Sequence, residues 1–139
     1  MKEVNLLKPC FSDHRGSITD IFVKSPKDHC AIITTAPGHI RANHYHKFTT
    51  QYTFLVHGKM LMASVEVSKN GGYDQEAVEI ITIPTNTLVV HPPYKAHAFK
   101  AVEESTILAF ACGIRGGDQY ESDVFRLEEC LFSNSGSNK

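Results

Sequence analysis

The chain has no surplus of positive charge: its 139 residues carry 14 Lys+Arg against 15 Asp+Glu, a formal net charge of −1. That balance excludes a dedicated nucleic-acid binder, whose phosphate contacts need a basic surface. It still allows a local pair of arginines to hold a small diphosphate. No apolar run approaches membrane-spanning length, so no membrane segment is expected. The N-terminal MKEVNLLKPC has no long apolar core, so a secretory leader is not expected either and the protein is placed in the cytoplasm. Cys10, Cys30, Cys112 and Cys130 contain no Cys-x-x-Cys pair and read as free thiols in a reducing compartment. Internal repeats, low-complexity segments and linkers are all missing. A single domain is expected over residues 1–132, with a polar, disordered tail at 133–139.

Helical periodicity is also scarce. Before residue 120 there is no helix-length amphipathic pattern. Instead, short runs rich in β-branched and aromatic residues recur at 18–23, 30–35, 51–56, 60–67, 78–83, 88–91, 97–102 and 106–111. Turn signals separate them, including Pro37-Gly38, His57-Gly58, Asn70-Gly71-Gly72 and Pro92-Pro93. This punctuation predicts an all-β antiparallel sandwich or barrel, with a hairpin across Asn70-Gly71-Gly72. From Glu121 onward, Val124, Leu127 and Leu131 recur at helical spacing behind a capping Ser122. A short C-terminal helix is expected there, with an extended alternative for 123–127. Residues 116–123 read as a loop leading into that helix, with no catalytic assignment.

Histidine is abundant, at eight residues. His44 and His46 lie two apart, so on a strand both side chains point to one face while Tyr45 points to the other. Gln51 can return to that face after one irregular residue, and His97 arrives from a separate strand. Three imidazoles and an amide converging in this way form either a metal site or an acid–base site with room for a small ligand.

The spacing Gly38, His44, His46, Gln51, Gly58 resembles the first cupin motif, with Gln51 where glutamate is usual. Asn86 through His97 resembles the second, with Asn86 and Tyr94 in place of its two glycines and Ala101 in place of its asparagine. The resemblance implies a single-domain cupin, a jelly-roll-like β-barrel. Residues 41–47, Arg-Ala-Asn-His-Tyr-His-Lys, are similar to a stretch of the cupins that act on nucleotide-activated 4-keto-6-deoxy sugars. The resemblance is to the 3,4-ketoisomerases first and more distantly to the 3,5-epimerases. Asp13-His14-Arg15-Gly16 resembles the motif that opens those proteins. Two departures stand out: Ala42 replaces a glycine, and residues 29–36 contain no tyrosine.

The resemblance implies an isomerase or epimerase of surface-polysaccharide synthesis, with His44, His46 and Arg15 as catalytic residues and a dTDP-type nucleotide sugar as substrate. Arg41 and Lys47 belong to the same motif and are assigned to the substrate, with Arg41 able to clamp the diphosphate. His91 and Tyr94 flank the Pro92-Pro93 turn at the expected barrel mouth and are candidate sugar or base contacts. No cofactor is required under this reading. The competing reading is a metal-dependent, dioxygenase-like cupin holding zinc, iron, nickel or manganese on His44, His46, Gln51 and His97. A non-enzymatic sugar-binding cupin is the third. Tyr52, Phe54 and Val56 alternate with Gln51, Thr53 and Leu55, so this strand is apolar on both faces and a homodimer is expected to cover the outer one.

Overall fold

The structure, a computed structural model, describes residues 2–113 and 122–134. Ten of its strands form two five-stranded antiparallel sheets facing each other. The first sheet has the order β1 (Val4–Leu6), β9 (Thr87–His91), β6 (Thr50–His57), β11 (Ser105–Cys112) and β4 (His29–Thr35). The second has the order β12 (Phe125–Arg126), β5 (Ile40–Tyr45), β10 (Lys95–Ala101), β7 (Met60–Glu66) and β8 (Glu79–Ile83). A separate hairpin pairs β2 (Phe11–Asp13) with β3 (Gly16–Ile18). This is the cupin-like sandwich that the turn spacing and the motifs imply.

The two-residue period of each strand divides the molecule. Leu55, Met60, Met62, Ile83, Val89, Phe99, Ala101 and Ile107 close one end of the space between the sheets. Histidines occupy the other end. On the outer face of the second sheet, Ala63, Ala96 and Ala98 make a shallow floor, and Tyr45, Leu131 and Phe132 pack onto it. Small side chains let the chain's own C-terminal segment lie close against the strands.

Two segments differ from expectation. The apolar run 18–23 contributes only Ile18 to a strand. Its Phe22 stands edge-on to Tyr52 and Phe110 at 5.3 and 4.8 Å, so the run covers the outer face of the first sheet instead of pairing. The C-terminal helical pattern resolves into β12, which realises the extended alternative, and a single 3₁₀ turn at Leu131–Asn134. The reason is that β5 would otherwise be an open sheet edge, and pairing β12 there satisfies backbone groups that a helix would leave unpaired. The Asn70-Gly71-Gly72 turn does sit between two paired strands, but inside a longer connection that includes a 3₁₀ turn at Gln75–Ala77. Of the expected tail, residues 135–139 lie outside the described residues, as do 116–121 of the loop ahead of β12.

β5 carries the main irregularity. Its register with β10 runs His44↔His97 and then Ala42↔Ala98, with a shift between them. Ala42 and Asn43 both adopt left-handed backbone, at φ 70° and φ 61°. The bulge brings Arg41 and His44, three residues apart, to line one cavity. Asparagine tolerates this conformation; alanine is strained in it.

That strain is open to test. The left-handed conformation costs a non-glycine residue about 1–2 kcal/mol, partly offset by the ~0.4–1 kcal/mol of extra chain entropy that glycine loses on folding. Ala42→Gly is therefore expected to raise the urea midpoint, at unchanged slope, by the equivalent of up to about 1.5 kcal/mol of stability. A lowered midpoint would show that the bulge is unstrained.

Candidate active site

Three strands deliver the polar cluster. His44 comes from β5, His46 from the residue that follows it, Gln51 from β6 and His97 from β10. All four side chains are buried. The imidazole centroids of His44 and His46 are 4.8 Å apart, those of His44 and His97 4.9 Å, and those of His46 and His97 5.6 Å. The convergence expected from the spacing is therefore present.

His46 is the most firmly held. Its Nδ1–H donates to the Asp123 carbonyl at 2.6 Å, which turns Nε2 toward Gln51, whose Oε1 lies 2.9 Å away. With that amide oxygen as acceptor both ring nitrogens donate, which is the imidazolium form. Turning the Gln51 amide end for end, with the Thr53 hydroxyl then donating across the 3.1 Å contact, suits the neutral ring. Gln51 can thus partner His46 with or without its second proton. That is a useful property beside an acid–base group, and a carboxylate would lack it.

Asp123 was not legible as a site residue. Its carboxylate accepts the backbone N–H groups of Lys47, Phe48 and Thr49 at 2.9, 2.9 and 2.8 Å, shaping the turn that follows His46. Burial pushes this carboxyl up, but the donors of residues 47–49 outweigh it and hold the group below the usual carboxylate range. In the sequence it is one acid in a polar stretch, with no periodicity to mark it as buried.

His91 departs from its expected place. It does not line the barrel mouth; it is 1% exposed in the interior and stacks on His97, with centroids 3.9 Å apart and planes 16° apart. Its Nε2 has no hydrogen-bond partner among the described residues. Burial first, and then the neighbouring His97, His46 and His44, push its pKa well below the usual range, so it stays neutral. The cause of the misplacement is β9, whose period puts His91 on the inner face opposite Gln51.

Tyr94 is also displaced. It sits at φ 64° in place of the motif's glycine, and its ring packs against Tyr45, which faces away from the histidines. Lys47 extends its Nζ over the Phe125 ring at 4.2 Å, on the same outer side. Arg15 lies on the β2–β3 hairpin, 74% exposed and paired with Asp13 at 2.6 Å, apart from the cluster within this chain. Arg41, by contrast, is at the site. It rests on the edge of β4 through Thr35 Oγ1 at 3.2 Å and the Thr34 carbonyl at 2.6 Å.

A cavity of about 150 Å³ opens between the sheets, lined by Arg41, His44, Gln51, Phe99, Ile107 and Ala109 among others. Whole ligand pockets are usually ~300–1,000 Å³, so this space suits one sugar-sized ring with the rest of a ligand outside, past Arg41.

The family model described as "Polysaccharide biosynthesis C-terminal domain" matches residues 11–114. The chain belongs to that family. Solved structures share the fold. A 3,4-ketoisomerase, QdtA from Thermoanaerobacterium thermosaccharolyticum, crystallised as a histidine-to-asparagine mutant with TDP-4-keto-6-deoxyglucose, superposes with TM-score 0.69 at 17% identity, covering 96% of this chain and 94% of that one. The epimerase RmlC from Legionella pneumophila, in complex with dTDP-4-keto-L-rhamnose, gives TM-score 0.71 at 12% identity, with 89% and 71% covered. The 3′-monoepimerase ChmJ from Streptomyces bikiniensis, with dTDP-quinovose, gives 0.67 at 20%, with 81% and 64% covered. This family member therefore spans about two thirds of the length of the epimerases and nearly all of the ketoisomerase. No curated protein matches it in sequence.

The Asp123 carboxylate gives a pH prediction. A carboxyl held below its ordinary value contributes stability that is complete above the ordinary value and is lost as pH falls through the lowered one. Acidification below about pH 4 should lower the urea midpoint of the native protein more steeply than that of Asp123→Asn, whose side chain does not titrate. Parallel pH profiles for the two proteins would contradict this account of the turn.

Proposed function

We propose that the protein is an isomerase or epimerase acting on a nucleotide-linked 4-keto-6-deoxy sugar, by histidine acid–base catalysis through an enolate or enediol. The observation that carries the reading is the histidine pair at a cavity of one-ring size: His44 lines it with Arg41 and Gln51, and His46, fixed through Nδ1, stands behind with Nε2 2.9 Å from Gln51 Oε1. The fold shared with QdtA, RmlC and ChmJ supports the substrate class.

The chemistry follows from the carbonyl. A C–H bond beside a ketone is acidic because the electron pair left behind delocalises onto the oxygen. His46 takes that proton, and the electrons move to the carbonyl oxygen as an enolate. Return of a proton to the same carbon from the opposite face gives the epimer. Proton transfer from the neighbouring hydroxyl to the enolate oxygen, with reprotonation at the former carbonyl carbon, moves the ketone by one position. His44, 4.8 Å from His46 between ring centres, is the second proton carrier. Arg41 holds the negative end of the ligand at the rim, by charge and by its planar donors. Lys47 and Tyr94 face the other side of the sheet and take no part within the chain, and His91 backs His97.

The pathway is polysaccharide biosynthesis, in keeping with the family. Free cysteines, which Cys10, Cys30, Cys112 and Cys130 all are, fit the reducing cytoplasm. Among the described residues no helix is long and apolar enough to cross a membrane. A homodimer remains part of the reading. Phe22 already covers Tyr52 and Phe54 is buried within the chain, but Ile32 lies in one register row with half-buried Leu108 on the outer face of the first sheet and is 70% exposed. A second copy would cover that row. Sedimentation at micromolar concentration should give twice the chain mass; a monomer would remove this part.

A second reading rests on the ring geometry. His44, His46 and His97 can bring one nitrogen each to within 4.8 Å of the others. His46 and His97 are both anchored through Nδ1, the latter to the Lys95 carbonyl at 3.0 Å, as metal-ligating histidines commonly are. The donor set fits a divalent cation, which would supply Lewis-acid polarisation of a carbonyl. Two measurements separate the readings. Under the acid–base reading His46→Asn, still folded, loses at least the ~10²-fold typical of general acid–base catalysis, and EDTA leaves native turnover of a dTDP-4-keto-6-deoxyhexose unchanged. Complete loss with EDTA, restored by one specific metal, would establish the metalloenzyme instead.

A further inference from the structure

The segment after residue 121 lies outside the matched family region, yet its tethers converge on the stretch that carries His44 and His46. β12 pairs Phe125 with Tyr45 and Arg126 with His44. Leu127 N–H donates to the Asn43 carbonyl at 3.1 Å, and Leu131 N–H to Asn43 Oδ1 at 2.9 Å. Asn43 Nδ2 donates in turn to the Glu129 carbonyl at 3.3 Å. At the other end, Asp123 receives His46 Nδ1–H on its carbonyl and three backbone N–H groups of residues 47–49 on its carboxylate. Leu131 and Phe132, both buried, fasten the segment to the outer alanine floor.

We propose that residues 122–132 act as a positioning strap for the paired histidines, with Asp123 and Asn43 as its two positioning residues. Neither acts on substrate in this role. Asp123 acts through His46: its carboxylate fixes the 47–49 turn and its own backbone, so its carbonyl selects the Nδ1–H tautomer and commits Nε2 to Gln51, which lines the cavity. Asn43 acts through His44: its left-handed backbone forms the bulge, and its side chain ties that bulge to the strap. A staple that served stability alone could attach anywhere along β5. This one attaches on both sides of the His44–His46 pair and donates nothing to the strand's far end among the described residues.

The catalytic consequence rests on the acid–base reading given above, but the tautomer does not, so the two can fail separately. In native protein labelled with ¹⁵N-histidine, His46 should show one tautomer, Nδ1 protonated and Nε2 carrying the lone pair or an exchanging proton. Asp123→Ala, or Asp123→Asn if the alanine variant does not fold, should give a folded protein in which His46 samples both tautomers. Asn43→Gly keeps the left-handed backbone accessible and removes only the side-chain tether. Each variant should lose about tenfold to a hundredfold in kcat, the scale of a misplacement of about 1 Å, with KM within twofold. A folded Asp123 variant with native kcat, or with His46 still locked in one tautomer, would overturn the strap. If native protein turns over no nucleotide sugar, the functional reading fails and the tautomer alone decides the strap.

Discussion

The arrangement depends on where the backbone of β5 finds its hydrogen bonds. β10 pairs with it on one side and β12 on the other, and the bulge at Ala42–Asn43 sits between those pairings. Without the bulge, a two-residue period would send Arg41 and His44 to opposite faces. With it, a guanidinium at the rim and an imidazole in the interior serve one cavity. The strain at Ala42 persists because strands on both sides leave the chain no other path.

The second constraint is the crowding of polar groups in the interior. Buried imidazoles require partners, and much of what they receive here is backbone: the carbonyls of Asp123 and Lys95 hold His46 and His97 by Nδ1. Carbonyl anchors do not titrate, so ring orientation is insulated from the charge state of the site. Neutral His91, stacked beneath His97, adds bulk and shape without adding charge.

Most of the fold was legible because antiparallel strands leave a two-residue mark and turns leave glycine, proline and asparagine. Seven of the eight apolar runs fall on strands. The eighth, at 18–23, could not be distinguished, since an apolar run looks the same whether it pairs or merely covers a face. β12 was obscured for a related reason: Val124, Leu127 and Leu131 have helical spacing, but an unpaired sheet edge won the backbone. At the site, His44, His46, Gln51 and His97 follow from strand parity. Tyr94 and Lys47 illustrate its limit. Both occupy motif positions, and whether such a residue faces the cavity depends on local backbone such as the φ of 64° at Tyr94, which turns its ring to Tyr45 on the outer side. Asp123 was hidden because its contacts lie 74 to 77 positions away along the chain.

That separation has a bearing on assembly. Asn43 and Leu131 are 88 positions apart, and Asp123 and Thr49 are 74. Closing loops of this length has an entropic cost that only other, already formed contacts offset. Both sheets apart from β12 are complete by Cys112, so a chain folded to that point has its barrel and its histidines but not the Asp123 carbonyl that holds His46 by Nδ1. Competence for chemistry thus arrives after the architecture, with the last strand to dock.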